Sequence, residues 1–149
     1  MKNRMLRVED ALCATRSAIR MGVVPGGGAA LVSLSRWLTE HAKTIEDDEI
    51  RTGYKIIAKS LLTPLRQIAN NAGISGDYVI QRVKDIQDEK GTDYGWDANT
   101  DTLLNLRDQG IIDPTRSIIS AIENAASVAR AFLTIKGVVR DRVRVKAGL

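Results

Sequence analysis

Reactive side chains are scarce in this chain. Its 149 residues include one cysteine, Cys13, and one histidine, His41. A Cys–His dyad is therefore the one nucleophilic pair the composition permits. Cys13 falls off the apolar stripe of a helix and no spacing brings His41 to it, so both are read as inert. A single cysteine excludes an internal disulfide and a Cys-cluster metal site, and a single histidine excludes His-x-x-x-His zinc chemistry. Two other stretches carry local chemistry. Val23-Val24-Pro25-Gly26-Gly27-Gly28 reads as a tight turn where backbone comes close to a neighbour, since glycine has no side chain to block the approach. Residues 140–146, Arg-Asp-Arg-Val-Arg-Val-Lys, hold four cations and one acid, which is +3 of the net +4. The rest of the chain is nearly neutral.

Helical periods must position these groups. Met5, Val8, Leu12, Thr15 and Ile19 share one face of a helix over about 5–21, ended by Gly22. A second helix follows at about 28–39, with Leu31, Leu34, Trp37 and Leu38 as packing candidates. Asp47 and Asp48 are candidate caps for a third. Its stripe is Ile50, Tyr54, Ile57, Leu61, Leu65 and Ile68, and Pro64 inside it predicts a kink or two abutting helices. Asn70-Asn71-Ala72-Gly73 closes that segment. Val79, Val83 and Ile86 predict a fourth helix over 75–87. Residues 92–100 read as a short hairpin or irregular loop, and 102–109 as a short helical piece. Asp113 as N-cap and Pro114 at the first helical position open the longest helix, about 114–135. Ile118, Ile122, Ala125, Ala129 and Phe132 form its stripe, and the small residues 125–129 let another helix approach. Val139, Val143 and Val145 then alternate with Arg140, Arg142, Arg144 and Lys146, which predicts one strand in need of a partner.

Composition sets the class. Hydrophobic residues make up 44% and charged residues 27%, so the chain is a folded domain rather than a disordered or membrane-like one. Aromatics are only 4%, and a core of Leu, Ile, Val and Ala predicts a mainly all-α fold. No apolar run approaches the ~20 residues a bilayer requires. The first residues are amphipathic and do not resemble a signal-peptide core, so a cytoplasmic setting is expected. Positive charge confined to one terminal strip is not the footprint of a nucleic-acid-binding face.

Several motifs, in order along the chain, together resemble the group I chaperonins, the GroEL type. They are Arg7-Val8-Glu9-Asp10-Ala11-Leu12, Gly22 to Leu31, Thr63-Pro64-Leu65-Arg66-Gln67-Ile68, Tyr94-Gly95-Trp96-Asp97-Ala98, Gly110 to Thr115 and Ala125-Ala126-Ser127-Val128-Ala129. The resemblance runs from the first residues to about Asp141. It implies that 1–21 is the C-terminal helix of the intermediate domain and 22–149 the C-terminal half of the equatorial, ATP-binding domain. That half is helical with a small β-hairpin and a C-terminal strand. It further implies that the phosphate-binding glycine loop, the magnesium segment and the polypeptide-gripping apical domain lie outside this chain. ATP and Mg are then family cofactors whose phosphate and metal contacts come from elsewhere, and no metal ligand is assigned here.

By the same resemblance Asp10 matches the aspartate that positions the attacking water. A carboxylate suits that role because it accepts the water's hydrogens. The other reading of Asp10 is an exposed helix acid. Gly27 matches the contact to the nucleotide's base and sugar, Asp97, Ala98 and Asn99 the adenine-edge loop, and Ile111 and Asp113 the ribose-contacting segment. Asn99 stands where the family usually has alanine. A polar hairpin tip and a helix cap are the structural readings of Asp97–Asn99 and Asp113. The basic strand reads first as a subunit contact, then as an aggregation guard, and last as a nucleic-acid contact. The expectation is a chaperonin fragment that contributes part of a nucleotide pocket and is inactive alone. Its faces would associate with other chaperonin segments or subunits, or as a homo-oligomer, and unfolded polypeptide would be met only through the apical domain. The rival is a nucleotide-independent helical assembly module.

Overall fold

The computed structural model describes residues 2–139. Six helices carry the fold: α1 (Lys2–Met21), α2 (Ala29–His41), α3 (Asp48–Ser60), α4 (Thr63–Asn71), α5 (Gly76–Lys90) and α6 (Thr115–Leu133). Four short strands, β1 (Val23–Pro25), β2 (Tyr94–Asp97), β3 (Thr102–Asn105) and β4 (Ile112–Pro114), join them. The strands form two separate antiparallel ladders, β1 with β4 and β2 with β3. The expected mainly helical class with a small hairpin holds. No helix among the described residues is long and apolar enough to cross a membrane.

Local chemistry explains the boundaries. Asp47 caps α3, its Oδ1 accepting from the Glu49 and Ile50 amides at 2.8 and 3.1 Å. Pro64 lies in the first turn of α4, so the long stripe resolves into two abutting helices. At its end Gly73 turns left-handed, φ +80°, and Asn70 Oδ1 accepts from the Gly76 amide. Val32, Leu65, Ala69, Val79, Ile80, Val83 and Trp96 form the buried cluster. The core thus sits where α2, α4 and α5 meet the hairpin.

Four expectations are corrected. Residues 102–105 are strand and not helix, because Leu103 pairs with Trp96 and Leu104 with Gly95. After them the Asn105 side chain accepts from the Arg107 and Asp108 amides, which makes a turn of the remainder. Asp113 does not cap α6. It pairs with Val24 in the β1–β4 ladder, Pro114 takes the cap position, and no side chain caps the helix. The longest helix is α1, at 20 residues against 19 for α6. Finally, Trp37, a packing candidate on α2, is 59% exposed and stacks on His41, ring centroids 4.8 Å apart. The stripe of α1 shares one face as its spacing predicts, and that face points outward, with Met5 and Val8 each 68% exposed and Ile19 80%. The predicted terminal strand lies, beyond Val139, outside the described residues.

Candidate functional site

Six of the seven residues singled out in the sequence come from three stretches that the ladders draw together. The first is the loop Gly26–Gly28, between β1 and α2. Gly27 and Gly28 are left-handed, φ +61° and +82°, a region that L side chains avoid. The Gly26 amide donates to the Ile111 carbonyl at 2.9 Å, and a Cβ on Gly26 would lie 3.2 Å from that same carbonyl group. Gly28 is tighter still: a Cβ would lie 3.0 Å from the Leu65 backbone nitrogen. Gly27 is open by contrast, its nearest neighbour being the Trp96 carbonyl oxygen at 3.8 Å from a built Cβ.

Ile111 is the tie between stretches. Its amide donates to Leu106 at the base of the hairpin, 2.8 Å, while its carbonyl holds Gly26. Two residues on, Asp113 is half-buried opposite Val24. Its carboxylate accepts no hydrogen bond from the described residues, and burial raises its pKa above the ordinary carboxylate value. At the hairpin end Asp97 behaves in the opposite way. Its carboxylate accepts from the Asn99 amide at 3.0 Å and the Thr100 hydroxyl at 2.8 Å, which together lower its pKa. Ala98 and Asn99 are exposed at the tip. Asp10 stands apart. It is exposed on α1, twelve residues before Gly22 and so about 18 Å along the helix axis. Cys13 is exposed on the same helix, whereas His41 sits between Trp37 and Tyr54.

Two supporting residues escaped the sequence reading. Gln87 is buried, donates to the Ala29 carbonyl at 3.1 Å and the Tyr94 carbonyl at 3.0 Å, and accepts from Ser33 Oγ. It fastens the start of α2 to β2 beneath the glycine loop. The signal was its place on the face of Val79 and Val83, one polar residue in an apolar stripe. Asp101, at φ +51°, accepts from the Trp96 indole at 2.8 Å and orients that ring.

The two carboxylates make opposite demands on pH. The native state holds the ion of Asp97, so that stabilisation is present above the unfolded value of 3.8 and is lost as pH falls through the lower folded value. Asp113 binds its proton more tightly when folded, so stability declines as pH rises from 3.8 through its higher folded value. Carboxyl-carbon NMR titration should give Asp113 the higher midpoint and Asp97 the lower. The reverse order would contradict this geometry. A half-buried carboxylate with no donor among the described residues is suited to accept hydrogen bonds from a hydroxyl-bearing ligand.

Comparisons with known proteins agree on one relationship. Residues 1–143 match the model of the TCP-1/cpn60 chaperonin family. The chain is 43% identical over 146 residues to the chloroplastic RuBisCO large subunit-binding protein subunit alpha of Triticum aestivum, covering 98% of this chain and 26% of that protein. A crystal structure of a group III chaperonin in the open state superposes with a TM-score of 0.77 at 30% identity, over 83% of this chain and 25% of that one. The open-state monomer of a group II chaperonin from Methanococcoides burtonii gives 0.71 at 26% identity, over 76% and 28%. The chain therefore spans about a quarter of the length of these relatives.

Proposed function

Since this chain belongs to the TCP-1/cpn60 chaperonin family, we propose that it serves a folding chaperone by supplying the base-and-ribose side of its ATP pocket. Residues 1–21 would be the end of an intermediate domain and 22–149 the C-terminal half of an equatorial domain. The joint at Gly22, left-handed at φ +76° with nothing within 4 Å of a built Cβ, supports that boundary. Identity to the chloroplast relative exceeds that to the group II and group III structures, which favours group I. The lone exposed thiol of Cys13 suits a reducing compartment such as the cytoplasm.

One observation supports the pocket: the ladder sets Asp113 opposite Val24, on the strand that leads into the open backbone of Gly27, and the half-buried Asp113 carboxylate accepts no hydrogen bond from the described residues. Gly27 admits the flat nucleoside, Asp113 accepts from the ribose hydroxyls, and Ile111 with Asp97, Ala98 and Asn99 borders the base. These residues fit the nucleoside part of ATP. Among the described residues no three carboxylate, histidine or cysteine side chains gather as metal ligands, so no magnesium step is assigned to them. Asp10, the candidate for orienting water, is held away from the loops, and the chain alone is expected not to hydrolyse ATP.

Subunit contacts are the second contribution. An apolar groove of about 390 Å³ lies between α6 and the α3–α4 corner, lined by Ile56, Ile57, Pro64, Ile118 and Ile122 among others. Phe132 and Leu133 extend the apolar surface at 67% and 87% exposure. Such faces drive association in chaperonin assemblies or between copies of this chain.

Amide NMR of the full chain with adenosine and with ATP tests the reading. Shifts should concentrate at Gly27, Asp97–Asn99, Ile111 and Asp113, with no phosphate release. Absence of any shift there would leave a nucleotide-independent assembly module. Turnover that disappears in Asp10→Ala would overturn the inactivity.

A further inference from the structure

A second concavity lies between α1 and the first turns of α6, about 630 Å³ in volume. Arg16 and Arg20 project into it from successive turns of α1, and Arg116 from the start of α6. Ser17, Ser117 and Ser120 add three hydroxyls between them, and among the described residues no carboxylate lines the cleft. None of the three arginines has a carboxylate within 4.0 Å among the described residues. Among the described residues the Arg116 guanidinium has the Met21 sulfur as its one side-chain partner, at 4.0 Å. By sequence, the acids nearest the cleft are Asp113, three residues before Arg116, Glu123, three after Ser120, and Asp10, three before Cys13, and none of them is in its lining.

Three guanidinium groups facing one space repel one another, and among the described residues no carboxylate pairs with them, although the C-terminal dipole of α1 offsets part of the repulsion at Arg20. An anion placed among them would. Guanidinium forks match phosphate oxygens two at a time, and serine hydroxyls donate to whatever acceptors remain. The volume is in the range of small-molecule sites and exceeds the needs of a single orthophosphate. We infer that the α1–α6 cleft binds a polyphosphate group, held by Arg16, Arg20 and Arg116 with Ser17, Ser117 and Ser120. The site uses none of the loop residues assigned to the nucleoside, so each can fail without the other. Its ligand is a free polyphosphate anion or the phosphate tail of a nucleotide.

Titration calorimetry and amide NMR of the full chain with sodium tripolyphosphate at low ionic strength test it. Saturable binding that shifts Arg16–Arg20 and Arg116–Ser120 and weakens with added salt is expected. Arg16→Ala, Arg20→Ala and Arg116→Ala should each weaken it by about tenfold or more, the scale of a charge-assisted hydrogen bond. All three are exposed, so these variants should keep the far-ultraviolet spectrum of the parent. Arg140→Ala/Arg142→Ala/Arg144→Ala should bind as the parent does. ATP that displaces tripolyphosphate and also shifts Gly27 would identify a nucleotide tail, while displacement without that shift would identify a free anion, and both support the site. Binding that survives the three α1–α6 substitutions, or is lost in the 140–144 variant, overturns it. Equal affinity for a polyglutamate peptide with the same dependence on the arginines would reassign the cleft to acidic polypeptide and overturn the phosphate assignment.

Discussion

Leu65→Ala should lower the free energy of unfolding by about 2–5 kcal/mol. Leu65 is 1% exposed and sits at the centre of the cluster formed by α2, α4, α5 and Trp96. Truncation removes its transfer free energy and leaves a cavity that three helices and the hairpin would have to close together. Urea unfolding should show a lower midpoint at unchanged slope, because the surface exposed on unfolding stays the same. Leu65→Met, nearly equal in volume, should cost less than about 1.5 kcal/mol. Similar losses for the two substitutions would mean that polarity or backbone, and not volume, governs the position.

Gly28→Ala should have a comparable effect by a different route. At φ +82° an alanine pays about 1–2 kcal/mol for the left-handed region alone. Its Cβ would also lie 3.0 Å from the Leu65 nitrogen, a backbone atom that cannot swing aside. Overpacking of this kind typically adds about 1–3 kcal/mol. Gly27→Ala has the backbone cost without the clash, since its nearest neighbour is 3.8 Å away. The pair therefore separates packing from ligand approach. Thermal unfolding should drop much further for Gly28→Ala, whereas adenosine-induced shifts should be lost in Gly27→Ala while the fold persists. Equal destabilisation by both would show that the contact with Leu65 is relaxed at little cost.

The helices were legible where one residue type settles the backbone. Asp47 capped where an aspartate before an apolar stripe should, and Pro64 split its stripe in two. Cover was not legible. Met5, Val8, Leu12 and Ile19 share a face as their spacing requires, yet periodicity says only which residues point together and not what lies against them. The β1–β4 ladder was hidden for a related reason. Three residues beside a proline and three glycines carry no period, and their pairing with residues 112–114 is decided by contacts almost 90 positions away. Asp113 shows the consequence: Asp-Pro is a sound cap signal locally, but the ladder claims the backbone first. The positions of the candidate loops came from family resemblance, whereas the Asp113 carboxylate, which accepts nothing from the described residues, and the engaged one of Asp97 are visible only in three dimensions. The arginine cleft escaped the sequence altogether, because Arg20 and Arg116 meet only when two helices at opposite ends of the chain are packed.

None of the described side chains of α1 is buried. Its hold on the body is the Gly22 joint, the bond from the Thr115 amide to the Gly22 carbonyl, and its flank against α6 and β4. Detaching it would forfeit little apolar burial, while freeing α5 would dismantle the whole interior. The molecule is therefore built in two tiers of cooperativity, an outrigger that can lift away at low free energy and a hull that melts as one. An anion bridging Arg20 to Arg116 would lash the outrigger down, and occupancy of that cleft would set how often it lifts.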